Sequence, residues 1–238
     1  MSSWVERYVA GEHESVWAEV VALGPRAIDP ALAPAVDALA HETMQRALRN
    51  VEALKSLLPS IGWRFKFPMS GPPSDHCVHA PPQPDVAEKI AALQELCGPL
   101  PASIRAWWEV VGTVCFMRVP PDKQEDPLPD PLVVGPIEAV IAEFGEWESD
   151  AEYRRLMPRF HAPLAPDELH KDDISGGAPY ALELPSSAAD GVLLNEWHDA
   201  TFVGYLREAF RWAGVPGWSR APHTAARVDV IRRELVPI

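Results

Sequence analysis

Proline limits every regular element in this chain. There are 26 prolines among 238 residues, about twice the ordinary share of roughly 5%. Proline has no backbone N–H and a fixed φ, so helix interiors and central strands exclude it. The densest run, Pro68-Met69-Ser70-Gly71-Pro72-Pro73 through Pro81-Pro82-Gln83-Pro84, reads as an extended linker or surface loop. A second cluster, Pro120-Pro121 through Pro127-Leu128-Pro129-Asp130-Pro131, is acidic as well. These boundaries divide the chain into an N-terminal helical extension over 1–67, a linker or loop over 68–84, and a larger domain over 85–238.

Between the prolines, hydrophobic spacing predicts the elements. Ser3 and Glu6 have capping-box spacing. Val16, Val20 and Leu23 repeat at helical intervals up to Gly24-Pro25. A long helix starts near Asp29-Pro30 or at Pro34, carries Leu39, Met44, Ala47, Leu48, Val51, Leu54 and Leu58 on one face, and ends at Pro59. Residues 61–67 alternate as a short strand would. After the linker, Asp85 with Glu88 predicts a second capping box, ahead of a helix bearing Val86, Ile90, Leu93 and Leu96. A helix from Pro101 carries Ile104, Trp107, Trp108 and Val111, and Thr113 to Val119 reads as a strand. Further strands are expected at 131–134, 180–184 and 192–197, with helices after Pro136, near Ser149, at Phe202–Phe210 and around Val228–Leu235. Helices interspersed with strands and one hairpin predict an α+β fold.

Hydrophobic residues at 47% and charged residues at 23% are ordinary for a globular chain and exclude disorder over most of it. No apolar run reaches the roughly 18 residues of a membrane span. The stretch Met1-Ser2-Ser3-Trp4-Val5-Glu6-Arg7 lacks the basic and apolar regions of a secretory signal. Three cysteines, Cys77, Cys97 and Cys115, do not make a disulfide framework. A cytoplasmic location is expected.

The net charge of −13 is unevenly spread. Residues 120–199 carry 5 basic against 18 acidic residues, which accounts for the whole excess. An acidic field repels nucleic acid and anionic lipid and attracts basic partners. Direct nucleic-acid and membrane binding are therefore not expected. The candidate partner-binding residues are Asp122, Glu125, Asp126 and Asp130, with Glu146, Glu148 and Asp150.

Catalytic and metal chemistry find little support in the pattern. Asp75-His76-Cys77-Val78-His79 is the most ligand-like cluster, but no second pair follows at structural-zinc spacing. No metal or cofactor is expected, and replacing His76 and His79 together is expected to leave stability unaltered. His161, His170 with Asp172 and Asp173, and His198 with Asp199 are scattered. No His-Glu-x-x-His motif, Gly-x-Ser-x-Gly elbow or phosphate-binding glycine loop occurs. Ser175-Gly176-Gly177 reads as a tight turn. Trp107, Trp108 and Trp197 are expected in the core.

The stretch Gly98-Pro99-Leu100-Pro101-Ala102-Ser103-Ile104-Arg105-Ala106-Trp107-Trp108-Glu109-Val110-Val111-Gly112 resembles the start of a SUKH domain. Asp130-Pro131-Leu132-Val133-Val134, His170-Lys171 with Ser175-Gly176-Gly177-Ala178-Pro179-Tyr180, and Thr201–Arg207 with Phe210–Trp218 are similar to a bacterial branch of that superfamily. The resemblance covers about residues 85–220. It implies a twisted, largely antiparallel sheet flanked by helices. Many bacterial members are immunity proteins that bind a cognate toxin, often a nuclease or deaminase, and fungal relatives regulate cell-wall synthesis through protein contacts. One departure is Val111-Gly112-Thr113-Val114, where many members carry an Asn-Gly-Gly-like turn. The resemblance brings no catalytic residues. The expectation is a non-catalytic, cytoplasmic protein-binding domain, an immunity protein that neutralises a basic nuclease or deaminase toxin by binding it. The alternatives are a small metal-dependent or histidine–carboxylate hydrolase, and a regulatory scaffold outside any toxin system.

Overall fold

Ser3 caps the first helix as its spacing with Glu6 predicts. Its hydroxyl accepts from the Glu6 N–H at 3.2 Å, and the Glu6 carboxylate accepts from the Ser3 N–H at 2.8 Å. The computed structural model describes residues 3–66, 78–119, 128–221 and 224–238. Helix α1 (Trp4–Val9) leads to α2 (His13–Val21), a 3-10 turn at Gly24–Ile28, and the long α3 (Ala33–Ser60). Leu39, Met44, Ala47, Val51, Leu54 and Leu58 form the buried stripe of α3. Pro59 falls within the last turn rather than ending it.

The stripe on α3 meets α5 (Ala102–Val110), where Trp107 and Trp108 are buried. Between them in sequence lie strand β1 (His79–Ala80) and helix α4 (Val86–Cys97). One polar link joins α5 to α3, and another joins α3 to the C-terminal tail. Arg105 donates to Asp37 at 2.6 Å. Asn50 exchanges two hydrogen bonds with the backbone of Val236, at 2.8 and 2.9 Å, and so ties the C-terminal tail to α3. Residues of the N-terminal helices and of the later segments belong to one continuous hydrophobic core.

The fold is α+β, and all strand pairs among the described residues are antiparallel. Strand β2 (Thr113–Cys115) pairs with β1 and with β3 (Val133–Val134), with Val114 opposite His79 and Val134. Helix α6 (Ile137–Ser149) and the short α7 (Ala151–Leu156) follow. A second sheet has the order β4 (Phe160–Ala165), β5 (Tyr180–Leu184), β6 (Leu193–Leu194). The Gly135 N–H donates to Leu164 O at 2.6 Å and brings the two sheets together. Helices α8 (Phe202–Arg211) and α9 (Ala225–Arg232) complete the order.

Four expectations need correction. Part of the 68–84 linker is a strand, because His79–Ala80 pairs with β2. Strand β4 was not foreseen. The strand expected at 61–67 is reduced, over its described residues, to one bridge between Phe65 and Arg118. Asp85 does not cap α4 through its side chain, since its carboxylate takes the Lys89 ammonium at 2.8 Å instead. Gly112 turns the chain at φ +88°, and a β-carbon there would lie 2.3 Å from Ala80 O. Glycine is the residue that fits this approach of the β1 strand to the end of α5.

Candidate protein-binding surface

The seven acids singled out in the sequence do not form one group. Asp122, Glu125 and Asp126 lie outside the described residues. Glu146, Glu148 and Asp150 are exposed at the corner where α6 meets α7. Asp130 is not on the surface, because its side chain is 0% exposed and paired with an equally buried Lys171 at 2.6 Å.

The acidic corner is held firmly from below. Phe144, Trp147 and Phe160 stack with ring centroids 5.1 to 5.7 Å apart, which anchors α6 on β4. The Trp147 indole donates to Met157 O at 2.8 Å and closes the corner. Asp150 caps α7 by accepting from the N–H groups of Glu152 and Tyr153 at 2.8 and 3.1 Å. The cap is therefore Asp150, not Ser149. Tyr153 donates to Glu143 at 2.7 Å. That hydrogen bond, with some burial, pushes the phenol up to about 12. No residue of α7 is itself buried. Glu152 is exposed, and Leu156 is 70% exposed, the most exposed of the large hydrophobic side chains described. Neither Glu146 nor Glu148 has an ion pair among the described residues. Sequence reasoning missed Leu156; its helical spacing from Glu152 was the available signal.

The root of α6 opens onto a groove of about 510 Å³. Trp108, Val86 and Ile137 line it, and Lys89 bridges Asp85 and Glu138 at its edge, at 2.8 and 2.6 Å.

A second concentration of charge is internal. Besides Asp130, the Lys171 ammonium contacts the Tyr205 hydroxyl at 3.4 Å and lies 4.4 Å from the Tyr180 ring centre. Burial pulls the Lys171 pKa down, but Tyr205 and Asp130 outweigh it and the net shift is upward. A lysine held protonated in this way is a structural cation rather than a nucleophile. Trp197 donates to the other Asp130 oxygen at 3.1 Å. Trp197 is nevertheless 39% exposed, with Arg220 stacked 4.6 Å from its ring centre, so it is not the core residue expected.

The histidines serve separate elements. His79 is buried, with Nδ1 at 2.7 Å from Glu52 and Nε2 donating to Val111 O at 2.8 Å. It joins α3 to the end of α5, so replacing His76 and His79 together would remove these two contacts, and a stability cost is expected from His79; His76 lies outside the described residues. His170 pairs with Asp167. His198 pairs with Glu196 and lies 3.8 Å from Glu208. Burial pushes the Asp167 carboxyl upward, but the His170 ring and the N–H groups of Leu169 and His170 outweigh it and hold it below its ordinary value. Among the described residues no three His, Cys, Asp or Glu side chains are arranged to hold a metal ion. Burial pushes the Cys97 thiol up to about 11. No described helix is long and apolar enough to cross a membrane.

No family model, no curated protein and no solved structure matches the chain.

Proposed function

We propose that this protein works by binding a basic protein partner, without catalysis, and that the α6–α7 corner is its docking surface. The observation that carries the reading is α7 itself. It buries none of its own residues, yet it is capped and braced in place with Leu156 exposed one turn after Glu152, on the helix that follows the exposed Glu146 and Glu148. Arg154 and Arg155 precede Leu156 on the same short helix, and Arg155 pairs with Glu152 at 3.5 Å, so the rim is charged with acids in the majority. An exposed apolar side chain within a charged rim is the anatomy of a protein-binding patch. The acids would steer a basic partner, and Leu156 would supply the desolvated anchor. The resemblance to SUKH immunity proteins supports a toxin as that partner. A nuclease or deaminase must attract phosphates around its cleft, and an acidic corner seated there would exclude the substrate.

The test begins with affinity capture and identification of the protein that co-purifies, followed by stopped-flow association. Changing Glu146, Glu148 and Glu152 together to Lys should slow association at least tenfold at low salt and much less at high salt. Leu156→Ala should leave the association rate unchanged and speed dissociation. Association and dissociation both unaffected by these changes would remove the corner from the interface. Inhibition of the partner's activity by the protein would carry the toxin reading, and a partner with no activity to inhibit would end it.

A further inference from the structure

We infer that a cavity between the Phe65–Arg118 bridge and α9 is a binding site for a small phosphate-type oxyanion, separate from the acidic corner. The cavity is about 140 Å³, several water molecules' worth of space. Arg64, Arg118 and Arg227 all line it, with Trp63, Trp218 and Thr224, and no acidic residue does among those described. The local charge is thus opposite to that of the chain.

Three features single the cavity out. The Arg118 side chain is only 12% exposed, and its guanidinium lies 5.4 Å from the Trp63 ring centre. Its Nε and Nη2 are buried without a hydrogen bond. Asp172 forms an ion pair with Arg118, Oδ1 lying 3.7 Å from Nη2, which is longer than a hydrogen bond and leaves these N–H groups without an acceptor in the protein. The second feature is convergence. The Val119 N–H donates to Arg64 O at 2.9 Å, so the backbone brings Arg64 alongside the Arg118–Val119 segment. Arg227 comes from a helix more than a hundred residues later. Arg64 and Arg227 are exposed and form no ion pair among the described residues. The third is the wall. The Trp63 N–H is already donated to Phe116 O at 3.1 Å, so it is not a free donor in the wall.

Buried guanidinium donors without protein acceptors, beside two further guanidinium groups, are costly. An oxyanion removes both costs at once, since its oxygens accept the free N–H groups and its charge offsets the mutual repulsion. The planar guanidinium fork matches phosphate in particular. The recognised chemistry is the phosphate monoester group, whether on a small molecule or on a phosphorylated side chain.

The test is a calorimetric titration of the full chain with inorganic phosphate at fixed ionic strength, with chloride as the reference salt. Saturable binding is expected. Arg64→Ala combined with Arg227→Ala, both at exposed positions, should weaken it at least tenfold. Arg118→Lys, which keeps the charge but loses the fork, should weaken it as well, with folding checked by circular dichroism. A parallel titration with O-phosphoserine separates the sources. Tighter binding than phosphate assigns the site to a phosphorylated side chain, and equal binding assigns it to the free anion or a small phosphate ester. No saturable heat with phosphate or phosphoserine, or binding unchanged in the double variant, would overturn the assignment.

Discussion

Replacing Lys171 by Met tests how much of this fold rests on an internal ion pair. The ammonium and the Asp130 carboxylate are 2.6 Å apart and both 0% exposed. Removing the cation leaves Asp130 with the Trp197 N–H at 3.1 Å, and it deletes the contacts to Tyr205 and to the Tyr180 ring. Breaking one side of a buried pair costs about 3–5 kcal/mol. Asp130→Asn should cost a similar amount by stranding the ammonium. Asparagine is the right replacement, because residue 130 sits at φ +44° and Asn tolerates the left-handed region. The Lys171→Met, Asp130→Asn double variant should cost much less than the sum, because no uncompensated charge remains. The raised pKa of Lys171 sets the pH range. Its stabilisation is complete below the ordinary lysine value and is lost only as pH rises through the higher folded value, so the result should hold across neutral pH. Urea unfolding followed by tryptophan fluorescence measures all three variants. A single-variant cost below about 1 kcal/mol, or additivity within about 0.5 kcal/mol, would refute the reasoning.

Three further outcomes follow from single sites. Gly112→Ala should destabilise by about 3 kcal/mol or more, since it adds left-handed strain to a 2.3 Å approach to backbone; an unchanged melting temperature would contradict the packing. Cys97, with its thiol raised to about 11, should alkylate far more slowly at pH 8 in the native protein than after unfolding, as mapped by mass spectrometry. Asp167→Asn should cost about 1 kcal/mol at neutral pH. Because the native carboxyl lies below its ordinary 3.8, the stability it contributes is complete above that value and drains as pH falls through the folded one. The gap between wild type and variant should therefore close in acid.

The helices were legible because their signals are local. The Ser3–Glu6 box and the stripe on α3 need no knowledge of the rest of the chain. Strand β4 was hidden by Pro163 and its flanking prolines, which read as strand breakers. It survives because it is an edge strand whose pairing shifts at a bulge between Pro163 and Ala165. Asp130 looked like surface because it stands in an acidic, proline-rich run. Its burial is decided by Lys171, 41 residues away, and nothing local announces that. The α6–α7 acids were legible as exposed charge, whereas Arg64, Arg118 and Arg227 come together only through a strand bridge and the last helix.

The acids once grouped as one surface should therefore respond to substitution in three grades. Glu146 and Glu148 are exposed without ion pairs among the described residues, so changing either to Gln should alter stability by no more than about 0.5 kcal/mol. Asp150 is exposed too, but its carboxylate accepts two backbone N–H groups at the start of α7. Asp150→Ala should cost about 1 kcal/mol, and Asp150→Asn only part of it, since an asparagine oxygen still caps. Asp130 belongs to the interior. Lys171, Asp172 and Asp173 are consecutive, yet they pair with Asp130, Arg118 and Lys66 respectively. One short segment thus grips the chain on both sides of residues 120–127. Asp130→Lys would set two ammonium groups together with no water between them, so it should prevent folding rather than merely change affinity. A charge-reversal test of partner binding is interpretable only if it spares Asp130 and Asp150. Chemical denaturation of the single variants ranks them directly, and equal costs for Glu148→Gln and Asp130→Asn would show that Asp130 is not buried as the structure has it.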